Sequence, residues 1–480
     1  MKSHNITGLI FKASSTSIYE LIKDNASYRK TEKDKYGEVF TPQPLIDDML
    51  DQLPRHLWSN PRLKWLDPAC GVGNFPVSIF YRLDDGLKRH MPNTRHRRNH
   101  IIRKMLYMVE LNKTNYDIVR SIFGDDANVF HGSFLDDGWR EEFGGSGVRY
   151  DVVVGNPPYN QGGTRIGGNV FWKQFVFGAL DVLADDGYLC FVHPPGWRKM
   201  TKDRASAGDI WQRYDQQGYL VYLNMDNSPR YKADGFPTVD FYVWRSLKKG
   251  TTGRSATHGR TTQVAVKFDT LRYDGRLNLG GLPFIPSYVD PSVISILHKL
   301  GKVPEKDRLS VVHSQAFKAS VRDTTRRNRK ATGTTRRNGR RAVAYAHGYD
   351  HTRGTYTMAY RSQGDKKADR GDVERPKVVM TFNGAKENGC LYPVYYGGKV
   401  GTTASTMYQL VSGKAEGERL VRLLNSDFVI AMLKITQYSD RPNHKNEFHL
   451  LNMLPSVGHE LTLTAGEAKT IKVIVGRTKC

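Results

Sequence analysis

The 480-residue sequence predicts an α/β chain: a doubly wound, mostly parallel sheet followed by a basic domain of mixed α+β structure. Short apolar runs that end at polar or glycine-rich loops predict the parallel strands, and they lie at 63–67, 105–109 and 152–154. The distribution of charge predicts that the chain divides into two parts. Residues 1–250 contain 34 Lys and Arg against 29 Asp and Glu, whereas residues 251–480 contain 38 against 19. We therefore expect the second part of the chain to hold a polyanion.

A glycine-rich turn follows the first of these runs. Asp67 ends the run, Gly71 and Gly73 follow, and the apolar stretch 77–80 predicts a helix. A strand, a glycine turn and a helix form the nucleotide-binding unit of doubly wound sheets. The spacing is not G-x-G-x-x-G and no Lys-Ser/Thr follows, so we expect a ligand without a pyrophosphate. Glu110 ends the next run, at the position where a carboxylate binds a ribose diol.

The tetrapeptide Asn156-Pro157-Pro158-Tyr159 follows the apolar run 152–154. The Asn156 side chain offers a carbonyl oxygen, and the two prolines fix the backbone so that the Pro157 carbonyl faces away from any strand. Two rigid acceptors side by side suit a planar NH₂ group, and Tyr159 offers a flat face for an aromatic ring. The structural alternative is a Pro-Pro turn that closes a core strand, with a tyrosine at its rim.

Taken together and in this order, the motifs resemble the N6-adenine DNA methyltransferases that use S-adenosyl-L-methionine. The similarity is to the group whose cofactor motifs come first and whose target-recognition region comes last, and it covers roughly residues 30–245. It implies a Rossmann-like, seven-stranded methyltransferase domain over 36–250, with late strands near 218–224 and 238–244. A helical extension over 1–35 would precede this domain, and a DNA target-recognition domain over 251–480 would follow it.

The resemblance also implies roles for individual residues. Asn156, Pro157 and Tyr159 correspond to the catalytic positions, and Tyr159 with Phe236 would stack on an extruded target base. The alternative for Phe236 is an ordinary loop residue that fills a gap before Pro237. The positions that correspond to cofactor contacts are Phe40, Thr41, Pro42, Asp67, Ala69, Gly71, Gly73, Asn74, Glu110, Leu111, Phe134 and Asn156.

The sequence departs from the family pattern at Ser133. The family usually has an aspartate there that accepts from the cofactor's amino group, whereas this sequence has Asp136 and Asp137 further along. Either the serine hydroxyl or a shifted carboxylate can fill that role, and the sequence leaves the assignment open.

Residues 318–341 contain ten Lys and Arg and the single acid Asp323. We expect a mobile loop there, and we favour a phosphate clamp over a merely solvated loop. The candidate DNA-binding residues are Arg326, Arg327, Arg329, Lys330, Arg336, Arg337, Arg340 and Arg341. Further on, the pattern predicts strands at 378–382 and 391–396, one helix at 419–435 and a polar loop at 438–454.

Other features narrow the function. The sequence has no run of roughly 18 or more apolar residues and no signal-peptide pattern, so we expect a cytoplasmic protein of a bacterium or phage. The four cysteines have no metal-ligand spacing, so we expect no metal. Double-stranded DNA and a separate restriction endonuclease are the expected partners. The alternatives are methylation of RNA adenine, methylation of a protein glutamine amide, and a DNA-binding subunit without catalysis.

Overall fold

The structure is a computed structural model, and it describes residues 8–13, 15–27, 41–159, 171–199, 209–226, 239–248, 259–313, 336–337, 340–362, 372–381, 390–436, 444–459 and 461–476. The chain divides into two compact units. The N-terminal unit runs to Gly281, and the C-terminal unit starts at Leu282 and also takes the short segment Lys199–Lys202.

One nine-stranded sheet organises the N-terminal unit. Its strands are β1 (Trp65–Asp67), β2 (Leu106–Glu110), β3 (Asn128–His131), β4 (Tyr150–Gly155), β5 (Leu183–His193), β6 (Gly218–Asp226), β7 (Asp240–Ser246), β8 (Thr262–Phe268) and β9 (Leu271–Leu277). They lie in the order β3-β2-β1-β4-β5-β7-β6-β8-β9. The first five run parallel, β7 is antiparallel to both of its neighbours, and β8 is parallel to β6.

Two of the described helices precede β1, and others connect the strands, as expected for parallel pairing. Their bounds are Ser15–Ser27, Gln43–Asp51, Asn74–Gly86, Thr94–His100, Lys113–Phe123, Gly138–Glu142, Phe171–Val182 and Asp209–Gln217. The strands β1 and β2 are buried along their whole length, because helices and strands on either side supply one apolar cluster. Trp65, Phe80 and Val152 are among its fully buried members.

The five parallel strands all end at the same edge of the sheet. Their last residues are Asp67, Glu110, His131, Gly155 and His193. The register aligns these ends closely, since Glu110 pairs with His131 and Gly155 pairs with Phe191. Side chains on the loops that leave this edge are therefore brought together, which is where open α/β sheets bind ligands.

The sheet exceeds the predicted seven strands by the hairpin β8–β9. This hairpin follows residue 250, where we expected the domain to end, but β8 pairs with β6 from Tyr222 to Asp226. Val264 and Val266 of β8 are buried, so the hairpin adds apolar surface to the same unit. The compact unit therefore ends at Gly281.

The helix Ser15–Ser27 also belongs to this unit. Ile18 and Ile22 are buried in the core cluster, and the hydroxyls of Tyr19 and Ser78 are 3.0 Å apart. Residues 15–27 thus pack as part of the N-terminal unit, whereas a separate extension over 1–35 was expected.

The C-terminal unit contains two four-stranded sheets. The strands are β10 (Val312–His313), β11 (Arg336–Arg337), β12 (Arg340–Asp350), β13 (Thr355–Ser362), β14 (Lys377–Thr381), β15 (Val394–Tyr396), β16 (Val400–Thr402) and β17 (Thr406–Leu410). One sheet has the order β10-β17-β14-β15, and the other joins β11, β12 and β13 with β16 beside β12. The helices are Pro291–Gly301, Lys414–Leu424, Asp427–Ile435, His444–Leu451 and Ala465–Val475.

Three expectations for this unit were wrong in part. The helix predicted over 419–435 is two helices, because Ser426 caps a new one by accepting from the Val429 N–H. The polar loop predicted over 438–454 includes the helix His444–Leu451. The end of the basic segment 318–341 lies on strands, since Arg336 pairs with Arg341 and Arg337 with Arg340.

Candidate active site

The glycine turn after β1 has the open geometry that a ligand requires. Gly71 has φ +55° and Gly73 has φ +97°, conformations that side chains disfavour. The Gly73 N–H donates to the Cys70 carbonyl at 2.9 Å, and the Cys70 N–H donates to the Val109 carbonyl of β2 at 3.0 Å. A Cβ placed on Gly71 would meet no atom within 4 Å. Backbone hydrogen bonds therefore fix the turn on the side of the sheet, and the opposite side, at Gly71, is open.

Asp67 lies beneath this turn with a side chain that is only partly satisfied. The residue is 1% exposed, and its Oδ1 accepts from the Ala69 N–H at 3.1 Å. Its Oδ2 is buried without a hydrogen-bond partner in the part of the chain that the structure describes. Burial raises the pKa of this carboxyl to about 8, the Ala69 N–H opposes the rise, and the nearby Glu110 adds to it.

Glu110 links the end of β2 to the turn. One carboxylate oxygen accepts from the Gly71 N–H at 2.8 Å, and the other accepts from the Asn112 N–H at 2.7 Å. A carboxylate held in this way is an acceptor for hydroxyl groups. The next residue, Leu111, is 56% exposed and so presents an apolar surface beside the carboxylate.

The tetrapeptide begins at Asn156, directly after the end of β4 and next to the glycine turn. Gly155 packs so closely on Asp67 that a Cβ on it would lie 2.9 Å from Asp67 Oδ1. The Asn156 Nδ2 donates to the Thr41 hydroxyl at 3.0 Å, and the Thr41 carbonyl accepts from the Asn74 Nδ2 at 3.4 Å. Three segments far apart in the sequence thus meet at one threonine, and Asn156 is half-buried there, with its Oδ1 shielded from solvent.

The remainder of the tetrapeptide is more enclosed than expected. Pro157 is buried, and Tyr159 is 8% exposed, whereas the expected stacking on an aromatic ring needs an accessible face. Burial raises the pKa of the Tyr159 hydroxyl well above its ordinary value, and a hydrogen bond with the Asn156 side chain opposes the rise. The tyrosine is therefore neutral and joined to Asn156.

Phe134 lies in an aromatic cluster. Its ring stacks on Trp139 at 5.0 Å and on Phe175 at 5.6 Å, and its carbonyl accepts from the Trp139 indole N–H at 2.9 Å. Its contact with a cofactor adenine stays a prediction. Ser133 stands where the family pattern usually has an aspartate. Its hydroxyl accepts from the Leu135 N–H at 3.1 Å, and Asp136 and Asp137 are exposed.

Several predicted residues lie outside the described residues. Phe40 and Phe236 are among them, and so are Arg326, Arg327, Arg329 and Lys330 of the basic segment. Pro42 is described: its carbonyl accepts from the N–H groups of Leu45 and Ile46 and so begins the helix Gln43–Asp51.

Sequence reasoning missed a buried polar network at the same edge of the sheet. Asp240 at the start of β7 accepts from Arg198 Nε at 2.6 Å and from Arg198 Nη2 at 3.0 Å, and both residues are buried. His193 at the end of β5 lies 2.8 Å from the Tyr242 hydroxyl, and burial lowers the pKa of the histidine to about 3. No local pattern predicts these pairs, because their members lie more than 40 residues apart in sequence.

Within the described ranges, no group of three or more His, Cys, Asp or Glu side chains is arranged to hold a metal ion. In those same ranges, no helix combines the length and the apolar character needed to cross a bilayer.

Comparison with known proteins identifies the family. The N-6 DNA methylase family matches residues 14–185. An uncharacterized adenine-specific methylase of Mycoplasma pneumoniae is 40% identical over 336 residues, which cover 52% of this chain and 78% of that protein. This chain belongs to the adenine-specific N-6 DNA methylases. The resemblance seen in the sequence is thereby confirmed.

This methylase also resembles the Type II methyltransferase M.VspI of Vibrio sp. (strain 343), with 24% identity over 183 residues. That match covers 35% of this chain and only 39% of M.VspI. Among solved structures, the Type IIL restriction-modification enzyme MmeI in complex with DNA is 11% identical. It matches 93% of this chain and 69% of its own, with a TM-score of 0.48.

Adenine methylases of this family use S-adenosyl-L-methionine, and it is the cofactor of this methylase. Its residues fit that ligand. Asp67 has a buried oxygen in need of a donor, such as an ammonium group or a water molecule. The space above Gly71 admits a close approach, and the exposed Leu111 offers apolar contact beside the Glu110 carboxylate.

Proposed function

We propose that this methylase transfers the methyl group of S-adenosyl-L-methionine to the N6 amino group of adenine in double-stranded DNA. The transfer is site-specific, and the target base leaves the duplex. One observation carries the proposal: the tetrapeptide that can bind an amine lies against the glycine turn, through the Asn156–Thr41 hydrogen bond and the contact of Gly155 with Asp67. Methyl transfer to an amine requires that the group that binds the amine and the turn that binds the cofactor lie close together.

The cofactor-binding part of the proposal rests on the ends of β1 and β2. Asp67 accepts from the ammonium group or from a water beside it, because its second oxygen is buried and needs a donor. Glu110, whose carboxylate is fixed at the end of β2 by the Gly71 and Asn112 N–H groups, accepts from the ribose hydroxyls. The open Gly71 and the apolar Leu111 allow close approach of the remaining surface. The bound cofactor supplies a methyl group on an electrophilic sulfonium.

The catalytic part rests on two oxygens at the end of β4. The Asn156 side-chain carbonyl and the Pro157 backbone carbonyl accept the two hydrogens of the adenine amino group. This draws the nitrogen lone pair out of conjugation with the ring and makes the nitrogen a nucleophile. The proton leaves after the nitrogen has become cationic, so this chain's residues contribute chiefly orientation and electrostatic stabilisation.

Adenine N6 is engaged in a base pair in duplex DNA, so the base must be extruded before transfer. Unstacking costs a few kcal/mol. We propose that stacking on Tyr159 and Phe236 offsets part of this cost, which requires the Tyr159 ring to become more accessible than its 8% exposure here.

Contacts of the basic C-terminal part with phosphates offset more of the cost. Residues 282–480 carry 33 Lys and Arg against 17 Asp and Glu, which favours a polyanion as the ligand of that unit. Within it, the backbones of β11 and β12 bring four arginine positions into one short ladder. The candidate DNA-binding residues of the segment 318–341 are retained in the proposal.

The test is transfer of labelled methyl from the cofactor to three acceptors: double-stranded DNA, structured RNA and a bacterial protein extract. We expect label in DNA alone, and digestion to nucleosides should place it on N6 of adenine. Label in RNA or on a protein glutamine amide would replace the DNA assignment, because the tetrapeptide chemistry suits any planar amine. Sequencing the methylated DNA would then give the recognition site. Pairing with a separate restriction endonuclease is part of the proposal, and co-purification would test it.

A further inference from the structure

We propose that Thr41 is a positioning residue that accepts from the Asn156 amide nitrogen and so supports the orientation in which the amide oxygen faces the target amine. The inference rests on the proposed role of Asn156 as an acceptor for adenine N6. It assigns to the threonine hydroxyl a role in transfer itself, beyond the cofactor contact implied by the family resemblance.

The chemical problem is that an asparagine amide has two ends of nearly the same shape and opposite function. The oxygen accepts and the NH₂ group donates. If the amide turned over about its last torsion, its NH₂ group would face the NH₂ group of adenine, and two sets of donors would repel each other. Acceptor chemistry at residue 156 therefore needs something that holds the amide nitrogen on the other side.

The Thr41 hydroxyl is an acceptor on that other side. It accepts from the Asn156 Nδ2 at 3.0 Å, which directs Asn156 Oδ1 away from the threonine. Thr41 is 5% exposed, so bulk water is a poor substitute for its hydroxyl at this position. Without the hydroxyl, the amide N–H would lose this acceptor at a site shielded from bulk water, which would penalise the orientation in which the amide oxygen faces the target.

The threonine is itself held from both sides. Its carbonyl accepts from Asn74 Nδ2 at 3.4 Å, at the start of the helix that follows the glycine turn. The next residue, Pro42, begins the helix Gln43–Asp51, with its carbonyl accepting from the Leu45 N–H at 3.0 Å. A β-branched side chain on so constrained a backbone has few rotamers. These contacts fix the position of the hydroxyl. Because Asn74 directly follows the glycine turn, they link the Asn156 amide to that turn.

The experiment compares Thr41→Val with Thr41→Ser in the 480-residue chain. Valine keeps the shape of threonine and removes the hydroxyl, whereas serine keeps the hydroxyl and loses only the methyl group. Thr262→Val is the matched control, since Thr262 is a similarly buried threonine of the same unit whose hydroxyl donates to the Leu220 carbonyl at 2.9 Å. Each variant is measured for kcat with saturating DNA and for the Kd of S-adenosyl-L-homocysteine by calorimetry.

We expect kcat of Thr41→Val to fall on the order of tenfold, which corresponds to about 1.4 kcal/mol. The Kd should stay within about twofold of the wild type, and Thr41→Ser should recover most of the lost kcat. An unchanged kcat in Thr41→Val overturns the inference. So does a weaker Kd with kcat unchanged, which would make Thr41 a cofactor contact only, and so does an equal loss of kcat in Thr262→Val, which would indicate a general structural effect.

A second readout addresses the amide directly. In the complex with S-adenosyl-L-homocysteine, the wild type should bind duplex with adenine at the target more tightly than duplex with purine, which lacks the amino group. Thr41→Val should lose that preference, and retention of the full preference counts against the inference. If the wild type methylates no DNA at all, the proposed function fails instead. In that case the comparison of Thr41→Val with Thr41→Ser is repeated on whichever acceptor takes the label.

Discussion

Replacing Asp67 with asparagine should remove a pH dependence from the stability of the N-terminal unit. Burial raises the pKa of this carboxyl from its ordinary 3.8 to about 8 in the folded chain. In the unfolded chain the same carboxyl ionises near its ordinary value. Between these two pH values the folded chain holds a proton that the unfolded chain has lost, so the free energy of unfolding falls as the pH rises.

The magnitude follows from one proton. Each pH unit in this window changes the free energy of unfolding by about 1.4 kcal/mol, so two units correspond to roughly 3 kcal/mol. The stabilising contribution is complete below the unfolded pKa and is lost as the pH rises through about 8. Asparagine resembles the protonated carboxyl and does not titrate. Asp67→Asn should therefore become more stable relative to the wild type as the pH increases.

Urea unfolding followed by tryptophan fluorescence at a series of pH values measures this difference. All seven tryptophans precede residue 245, so the signal reports the N-terminal unit alone. Asp136→Asn is the control, because it removes an exposed carboxylate near the same edge of the sheet. Wild-type and Asp67→Asn curves that run parallel from about pH 5.5 to 7.5 would refute the raised pKa and, with it, the reading of Asp67 as a buried acid that needs a partner.

Three further predictions concern the proposed site and the basic segment. Asn156→Ala should leave the Kd for S-adenosyl-L-homocysteine within about twofold but lower methyl transfer by at least a hundredfold, about 2.7 kcal/mol; normal turnover would contradict the catalytic assignment. Gly155→Ala should destabilise the N-terminal unit by about 1–3 kcal/mol, since its Cβ would lie 2.9 Å from Asp67 Oδ1, whereas Gly147→Ala, with no atom within 4 Å, should be nearly neutral in the same urea titration. Reversal of four arginines to glutamate should weaken DNA binding at all sequences and flatten the slope of log K against log salt by about 0.9 per lost phosphate contact; an unchanged slope would place the segment away from the phosphates. The four are Arg326, Arg327, Arg336 and Arg337.

Local pattern was sufficient for the strands that carry the site. The apolar runs that end at Asp67, Glu110 and Gly155 were predicted to within two residues, because each is a short apolar segment bounded by a turn signal. The helix after the glycine turn followed from apolar spacing in the same way.

The local sequence pattern was insufficient to predict secondary structure where weak signals compete. The hairpin β8–β9 follows the polar, threonine-rich stretch after residue 250, where we expected a domain boundary, and no strand was predicted from its alternating residues. Only when β8 pairs with β6 does one face of the hairpin become buried, and Val264 and Val266 lie on that face. Similarly, Asn425-Ser426 interrupts an otherwise continuous apolar periodicity, and the cap at Ser426 ends one helix and starts another.

The sequence by itself determined the family, the order of the motifs and the residues at the ends of the central strands, because these depend on neighbours within a few positions. Tertiary structure alone decided that Thr41 meets Asn156 across 115 residues of chain, that Gly155 lies against Asp67, and that Arg198 is buried with Asp240. Such contacts arise when parallel strands bring their carboxyl ends to one edge of the sheet, and strand pairing is a long-range choice made by the burial of the whole core.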